Sequence, residues 1–100
     1  MSSSTSYREG LLKRLQEPKY AANYLTAALE DDDYELFLTC LRDVVEAAGF
    51  SKLSHRSKLN RQGLYRMLSK RGNPRLSSLA ALLKSIGLSL QVSSVQKKVA

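Results

Sequence analysis

No aspartate or glutamate follows Glu46 in this chain of 100 residues. All nine acids fall in the first 46 residues, against the five cations Arg8, Lys13, Arg14, Lys19 and Arg42, a net charge of −4. The remaining 54 residues carry eleven cations and no acid, which brings the whole chain to +7. A small domain with one strongly basic half repels itself unless a polyanion neutralises it, so nucleic acid is the first partner to consider. The plainer alternative is a solvated, solubilising surface.

Other scarcities narrow the field further. Cys40 is the only cysteine, which excludes an intrachain disulfide and a cysteine zinc cluster. His55 is the only histidine and is distant from Cys40 in sequence, so no metal site is expected within one chain. A hydrolase needs a nucleophile beside a base with a third orienting group, and no such set emerges; a glycine-rich phosphate loop is also missing. The expectation is a non-enzyme without cofactor. No apolar run approaches the ~20 residues of a membrane span. The opening Met-Ser-Ser-Ser-Thr-Ser lacks the basic and apolar regions of a secretory signal, so the simple reading is a cytoplasmic protein.

What is present reads as one all-α domain of five to six short helices with a short C-terminal β-strand. Residues 1–6 read as a disordered or capping lead. Leu11, Leu12 and Leu15 have helical spacing, and Pro18 suits the first turn of a second helix with a stripe at Ala21, Tyr24, Leu25, Ala28 and Leu29. Glu30 to Asp33 stops that helix, and Asp32 or Asp33 caps a third. The third helix has Leu36, Phe37, Leu41, Val44, Val45 and Ala48 on its apolar face and stops at Gly49. A short helix from Lys52 to about Ser57 follows. After Lys58-Leu59, Asn60 caps another from Arg61 to about Lys70, with Leu64, Met67 and Leu68 inside. Gly72-Asn73-Pro74 is a turn. A last helix holds Leu79, Leu82, Leu83 and Ile86 and ends at Gly87. Leu88 to Ser93 alternates apolar and polar residues, which predicts a half-buried strand, and the end with Lys97 and Lys98 reads as frayed. The domain thus divides into an N-terminal helical extension (7–31), a core (34–87) and the strand (88–93).

Two short helices joined by a tight turn suggest a helix-turn-helix. In that motif the first helix crosses the phosphate backbone and the second enters the major groove, while the inner face stays apolar. Leu53, Leu59, Leu64 and Met67 supply the inner face. Arg61, Gln62, Tyr65 and Arg66 lie on the other side of the second helix. Arginine reaches guanine O6 and N7, and glutamine reaches adenine N6 and N7, each in bidentate fashion. Gly63 allows close approach to the groove wall, at ~1 kcal/mol of helix propensity relative to alanine. Tyr65 has a second reading, as a ring packed on the core rim with only its hydroxyl showing. Gln62 also fits an ordinary surface residue, and Cys40 a small core residue.

At these residues a resemblance emerges. Gly49-Phe50-Ser51-Lys52-Leu53-Ser54, Leu59 through Leu68, and Gly72-Asn73-Pro74-Arg75-Leu76-Ser77-Ser78-Leu79 are similar to an XRE/Cro-type (phage-repressor) helix-turn-helix. More narrowly, the chain from about residue 7 to 93 resembles the probable addiction module antidote proteins, antitoxins paired with RelE/ParE-type toxins. The resemblance extends upstream through Tyr24–Asp31 and Phe37–Val44. Two positions depart from the pattern: Ser54 stands where alanine is usual, and Lys58 where glycine is usual. Lys58 then has to adopt a left-handed or distorted turn, at a cost of ~1 kcal/mol.

The resemblance implies that Arg61, Gln62, Tyr65 and Arg66 contact bases. It implies that Ser51, Lys52, Asn73 and Arg75 position phosphates, with Lys70 and Arg71 nearby. It further implies a homodimer on palindromic double-stranded operator DNA, with half-sites ~34 Å apart. The implied function is an autorepressing antitoxin that also neutralises a RelE/ParE-like toxin. Residues 7–31 are the expected toxin side; the Glu30–Asp33 acids fit a plain helix stop and cap, with a patch that receives a basic toxin as the sharper alternative, and the strand is expected to pair across the dimer. A repressor without a toxin, phage-type or stand-alone, remains open. An RNA-binding module also remains, although no aromatic stacking platform or KH-type loop is found.

Overall fold

A computed structural model describes residues 3–69 and 72–95, with side chains from Tyr7 onward. Six helices follow one another: α1 (Ser3–Arg14), α2 (Pro18–Glu30), α3 (Tyr34–Ala48), α4 (Phe50–Ser57), α5 (Arg61–Met67) and α6 (Leu76–Ser85). α3 is the central element. α2 lies along it, α1 and α4 also pack on it, and α4 in turn touches α5 and α6. Leu41, Val44 and Val45 on α3 have no solvent exposure, nor do Leu53 on α4, Leu64 on α5 and Leu82 on α6. One hydrophobic core therefore runs from α1 through α3 to α6.

Local chemistry sets the helix ends. Pro18 occupies the first turn of α2, where its missing N–H would have no helical partner. Asp33 caps α3, its Oδ1 accepting the Leu36 N–H at 3.0 Å. α2 closes in a Schellman turn, with the Asp33 N–H on the Ala28 carbonyl and the Asp32 N–H on the Leu29 carbonyl. Asp32 takes the left-handed position of that turn at φ 54°. Gly49 ends α3 and begins α4, so the short helix starts at Phe50, two residues before the predicted Lys52. α1 reaches back to Ser3, into the stretch predicted as a disordered or capping lead.

Two expectations need correction. Leu29 and Leu36 were assigned to the apolar faces of α2 and α3 but are exposed, while Leu38, left out of that face, is buried; Cys40 is buried, as its reading as a small core residue implies. At 100° per residue Leu36 stands about 120° from the centre of the buried face defined by Phe37, Leu41, Val44 and Val45. More important, residues 88–93 form no β-strand: the described chain is all-helical, and the C-terminal strand of the predicted fold is absent. The reason lies at the end of α6. The Leu88 N–H donates to the Leu83 carbonyl at 2.8 Å and the Gly87 N–H to the Lys84 carbonyl at 3.0 Å. Gly87 supplies the positive φ, 86°, that this second Schellman turn requires. Leu88 is thus spent on closing the helix, where it packs against the core, and Val92 is fully exposed. The alternation of leucine and serine has no partner strand to face, and a lone strand leaves its polar backbone edges unpaired.

A polar network ties the first three helices together. The Arg8 guanidinium on α1 donates to Asp43 and Glu46 on α3, and the Tyr24 hydroxyl on α2 donates to Asp43 Oδ2 at 2.8 Å. Burial, and next the bond to Asp43, push the Tyr24 phenol well above its ordinary value of 10.0. The folded state favours the protonated phenol, so its contribution is fully present below that value and is lost as pH rises towards the raised one. Tyr24→Phe is expected to cost about 1.5–3 kcal/mol near neutrality, the worth of one hydrogen bond to a charged acceptor. It should also flatten the alkaline loss of stability, which urea unfolding of both proteins at pH of about 8 and about 10.5 checks. Burial likewise raises the Cys40 thiol, in keeping with its reading as a core residue.

Candidate nucleic-acid interface

The link between α4 and α5 is three residues long, and serine hydroxyls brace it. Ser54 Oγ donates to the Leu59 carbonyl at 2.6 Å, and Ser57 Oγ accepts the Leu59 N–H at 3.3 Å. Ser54 thus adds a tie from α4 across the turn. Lys58 adopts φ 62° and ψ 15°, the left-handed conformation that a lysine enters at a cost. That conformation costs an L-residue ~1–2 kcal/mol, and glycine's freedom in the unfolded chain returns ~0.4–1 kcal/mol of any relief. Lys58→Gly is therefore expected to stabilise the fold by about 0.5–1 kcal/mol, read as a rise in the urea midpoint with unchanged slope.

Asn60 then caps α5, its Oδ1 accepting the Gly63 N–H at 2.6 Å. A Cβ on residue 63 would stand 2.9 Å from that same oxygen, so Gly63 makes room for the cap. The cap and the buried Leu64 and Met67 fix which side of α5 faces outward. Arg61, Gln62, Tyr65 and Arg66 are all exposed. The Tyr65 ring stacks on Phe50 with centroids 4.7 Å apart and planes 15° apart, and the residue keeps 41% of its surface exposed. The packed-ring reading of Tyr65 thus describes its ring, and an exposed remainder stays available for contact.

Arg66, Asn73 and Arg75 share the wall of one groove of about 340 Å³, with Gly63 and Ser78 among its other lining residues. Ser51 is exposed in the first turn of α4. Lys52 is placed apart from Arg66 and Arg75: with Arg56, one helical turn on, it lines a separate cleft between α4 and the C-terminal ends of α1, α3 and α6. Lys70 and Arg71 lie outside the described residues. The sequence reading overlooked Arg56, although its i, i+4 spacing from Lys52 in an acid-free stretch was a usable signal, and Phe50, whose stacking partner is fifteen positions away. Among the described residues, every ion pair belongs to Arg8, so Lys52, Arg56, Arg61, Arg66 and Arg75 all lack an acidic partner.

Against this geometry, the profile of one protein family, probable addiction module antidote protein, matches residues 8–94. The chain belongs to that family. An uncharacterized protein of Haemophilus influenzae is 35% identical over 69 residues, which is 69% of this chain and 71% of the relative. No solved structure matches. The match spans most of the described part of the antidote protein, so α1 from Arg8 onward and the segment after α6 are as much part of the family pattern as α4 and α5. An antidote implies a toxin as partner. No helix among the described residues is long and apolar enough to cross a membrane.

Proposed function

We propose that this antidote protein is the DNA-binding antitoxin of a type II toxin–antitoxin module. α4 and α5 serve as an XRE/Cro-type helix-turn-helix, a homodimer reads palindromic operator DNA, and the bound protein represses its own operon. The same chain neutralises a RelE/ParE-like toxin by binding, without catalysis, in the cytoplasm. The observation that carries the DNA reading is the outward face of α5. Arg61, Gln62 and Arg66 stand exposed on it with no acid to pair with, beside a groove that adds Asn73 and Arg75. Arginine and glutamine on the outward face of such a helix, here Arg61 and Gln62 in its first turn and Arg66 in its last, are the groups that recognise guanine and adenine edges in the major groove. The family's description favours an antidote over a free-standing repressor.

The roles divide into base readers and phosphate holders, and salt dependence separates them. Lys52→Ala and Arg75→Ala are expected to weaken binding to all duplexes alike and to reduce the slope of log affinity against log salt by about one unit each. Fluorescence anisotropy with labelled duplexes between roughly 50 and 200 mM salt reads this slope. An unchanged slope removes the residue from the phosphate set, and the absence of any duplex binding by the wild type ends the DNA reading.

A further inference from the structure

α2 and the segment after α6 enclose a groove of about 390 Å³ that takes in Leu29 and Phe37, on either side of the α2–α3 turn. Leu25, Leu29, Phe37, Leu83, Leu88 and Leu90 line it, and no lining residue is charged. Leu29 and Leu90 are 40% and 41% exposed, so the groove presents apolar side chains to water. Its α2 and α3 walls meet at the turn that carries Glu30, Asp31, Asp32 and Asp33, followed by Glu35. Two of these acids have structural work: Asp33 caps α3 and Asp32 holds the left-handed turn. Glu30, Asp31 and Glu35 are exposed and have no cation within ion-pair distance among the described residues.

We infer that this groove is the docking site for the module's toxin, which inserts an apolar side chain flanked by lysine or arginine. The inference rests on the antitoxin reading above and deepens it. Charge decides the occupant. The chain carries +7 overall, so a cationic partner is repelled by most of its surface and attracted only where unpaired carboxylates collect. An anionic partner is drawn instead to the acid-free half. An apolar anchor in the groove supplies the affinity, and the acidic rim supplies steering and orientation. Two partners of opposite charge are thereby sorted to two different surfaces of one small protein.

The test uses the full-length chain and the toxin of its own module, purified as a growth-neutral variant. Binding is measured by titration calorimetry at low and high salt. Asp31→Lys with Glu35→Lys avoids both the cap and the left-handed turn. It is expected to weaken toxin binding about tenfold or more at low salt and to remove most of its salt dependence. Leu29→Ala with Leu90→Ala alters side chains that are already half exposed, and should weaken binding about tenfold at every salt concentration. Both variants should keep wild-type helicity and bind duplex DNA at least as well as the wild type. Toxin affinity within about twofold of wild type in both variants overturns the groove assignment while leaving the antitoxin reading intact. Loss of toxin binding on Arg61→Ala or Arg66→Ala, with the groove variants unaffected, moves the toxin to the basic face and also overturns it. A wild-type chain that does not bind the toxin overturns the antitoxin reading and this inference together.

Discussion

Replacing Leu53 by alanine is expected to lower the unfolding free energy by about 2–5 kcal/mol, the range for truncating a fully buried leucine. Leu53 has no solvent exposure and is the one buried side chain of α4. That eight-residue helix contacts α3, α5 and α6, so a cavity at Leu53 opens where three helices are held to a fourth. A helix this short is not stable alone, and its order comes from packing. Against a total of about 5–15 kcal/mol for a domain, the loss removes a large fraction of the stability. Urea denaturation should show a lower midpoint with an unchanged slope. A shift corresponding to less than about 1 kcal/mol would show that α4 is held by something other than Leu53. The same substitution should weaken DNA binding more than its distance from α5's outer face suggests, because α5 packs on α4.

The second large effect concerns recognition. Arg61→Ala and Arg66→Ala are each expected to cost about 1–3 kcal/mol at a selected operator, or roughly 5- to 150-fold, with relaxed base preference at the position each one reads. The two arginines occupy different settings: Arg66 lines the groove with Arg75, and Arg61 stands in the first turn of α5. Distinct contacts of this kind should add, giving about 2–6 kcal/mol for the double variant. Binding to a non-specific duplex should fall much less, so the ratio of the two affinities is the diagnostic quantity. Footprinting in which both single variants retain wild-type discrimination would remove α5 as the reading helix.

The sequence was most informative where a local rule acts alone. Pro18 at a helix start, Asp33 and Asn60 as caps, and Gly49 and Gly87 as stops each express a preference of one residue and its near neighbours. The buried stripes were legible for the same reason, apart from Leu29 and Leu36. The segment 88–93 misled because its alternation fits a strand only when another strand is present, and the pattern does not carry that information. Leu88 looked like the first inward residue of a strand, whereas it completes a helix-closing turn. Long-range partners were out of reach. Nothing near Arg8 announces Asp43 or Glu46, which are 35 and 38 positions away, and nothing near Tyr65 announces Phe50. In the candidate interface, exposure of Arg61, Gln62, Tyr65 and Arg66 followed from the helical period. The separation of Lys52 from Arg66 and Arg75 depended on how α4 sits against α1, α3 and α6.

Gly49 is shared by two helices: its N–H bonds back to the Val45 carbonyl while its own carbonyl accepts from Leu53. No spare residue separates α3 from α4, so the joint works as a phased elbow. Adding or removing one residue there would turn the side chains of α4 by about 100° about its axis and carry Leu53 out of the core. Length at this joint is therefore as constrained as composition is inside α3, and natural variation in chain length should be found elsewhere. In the proposed scheme the two ligands share one small core, and any effect of one on the other's affinity must be matched in reverse.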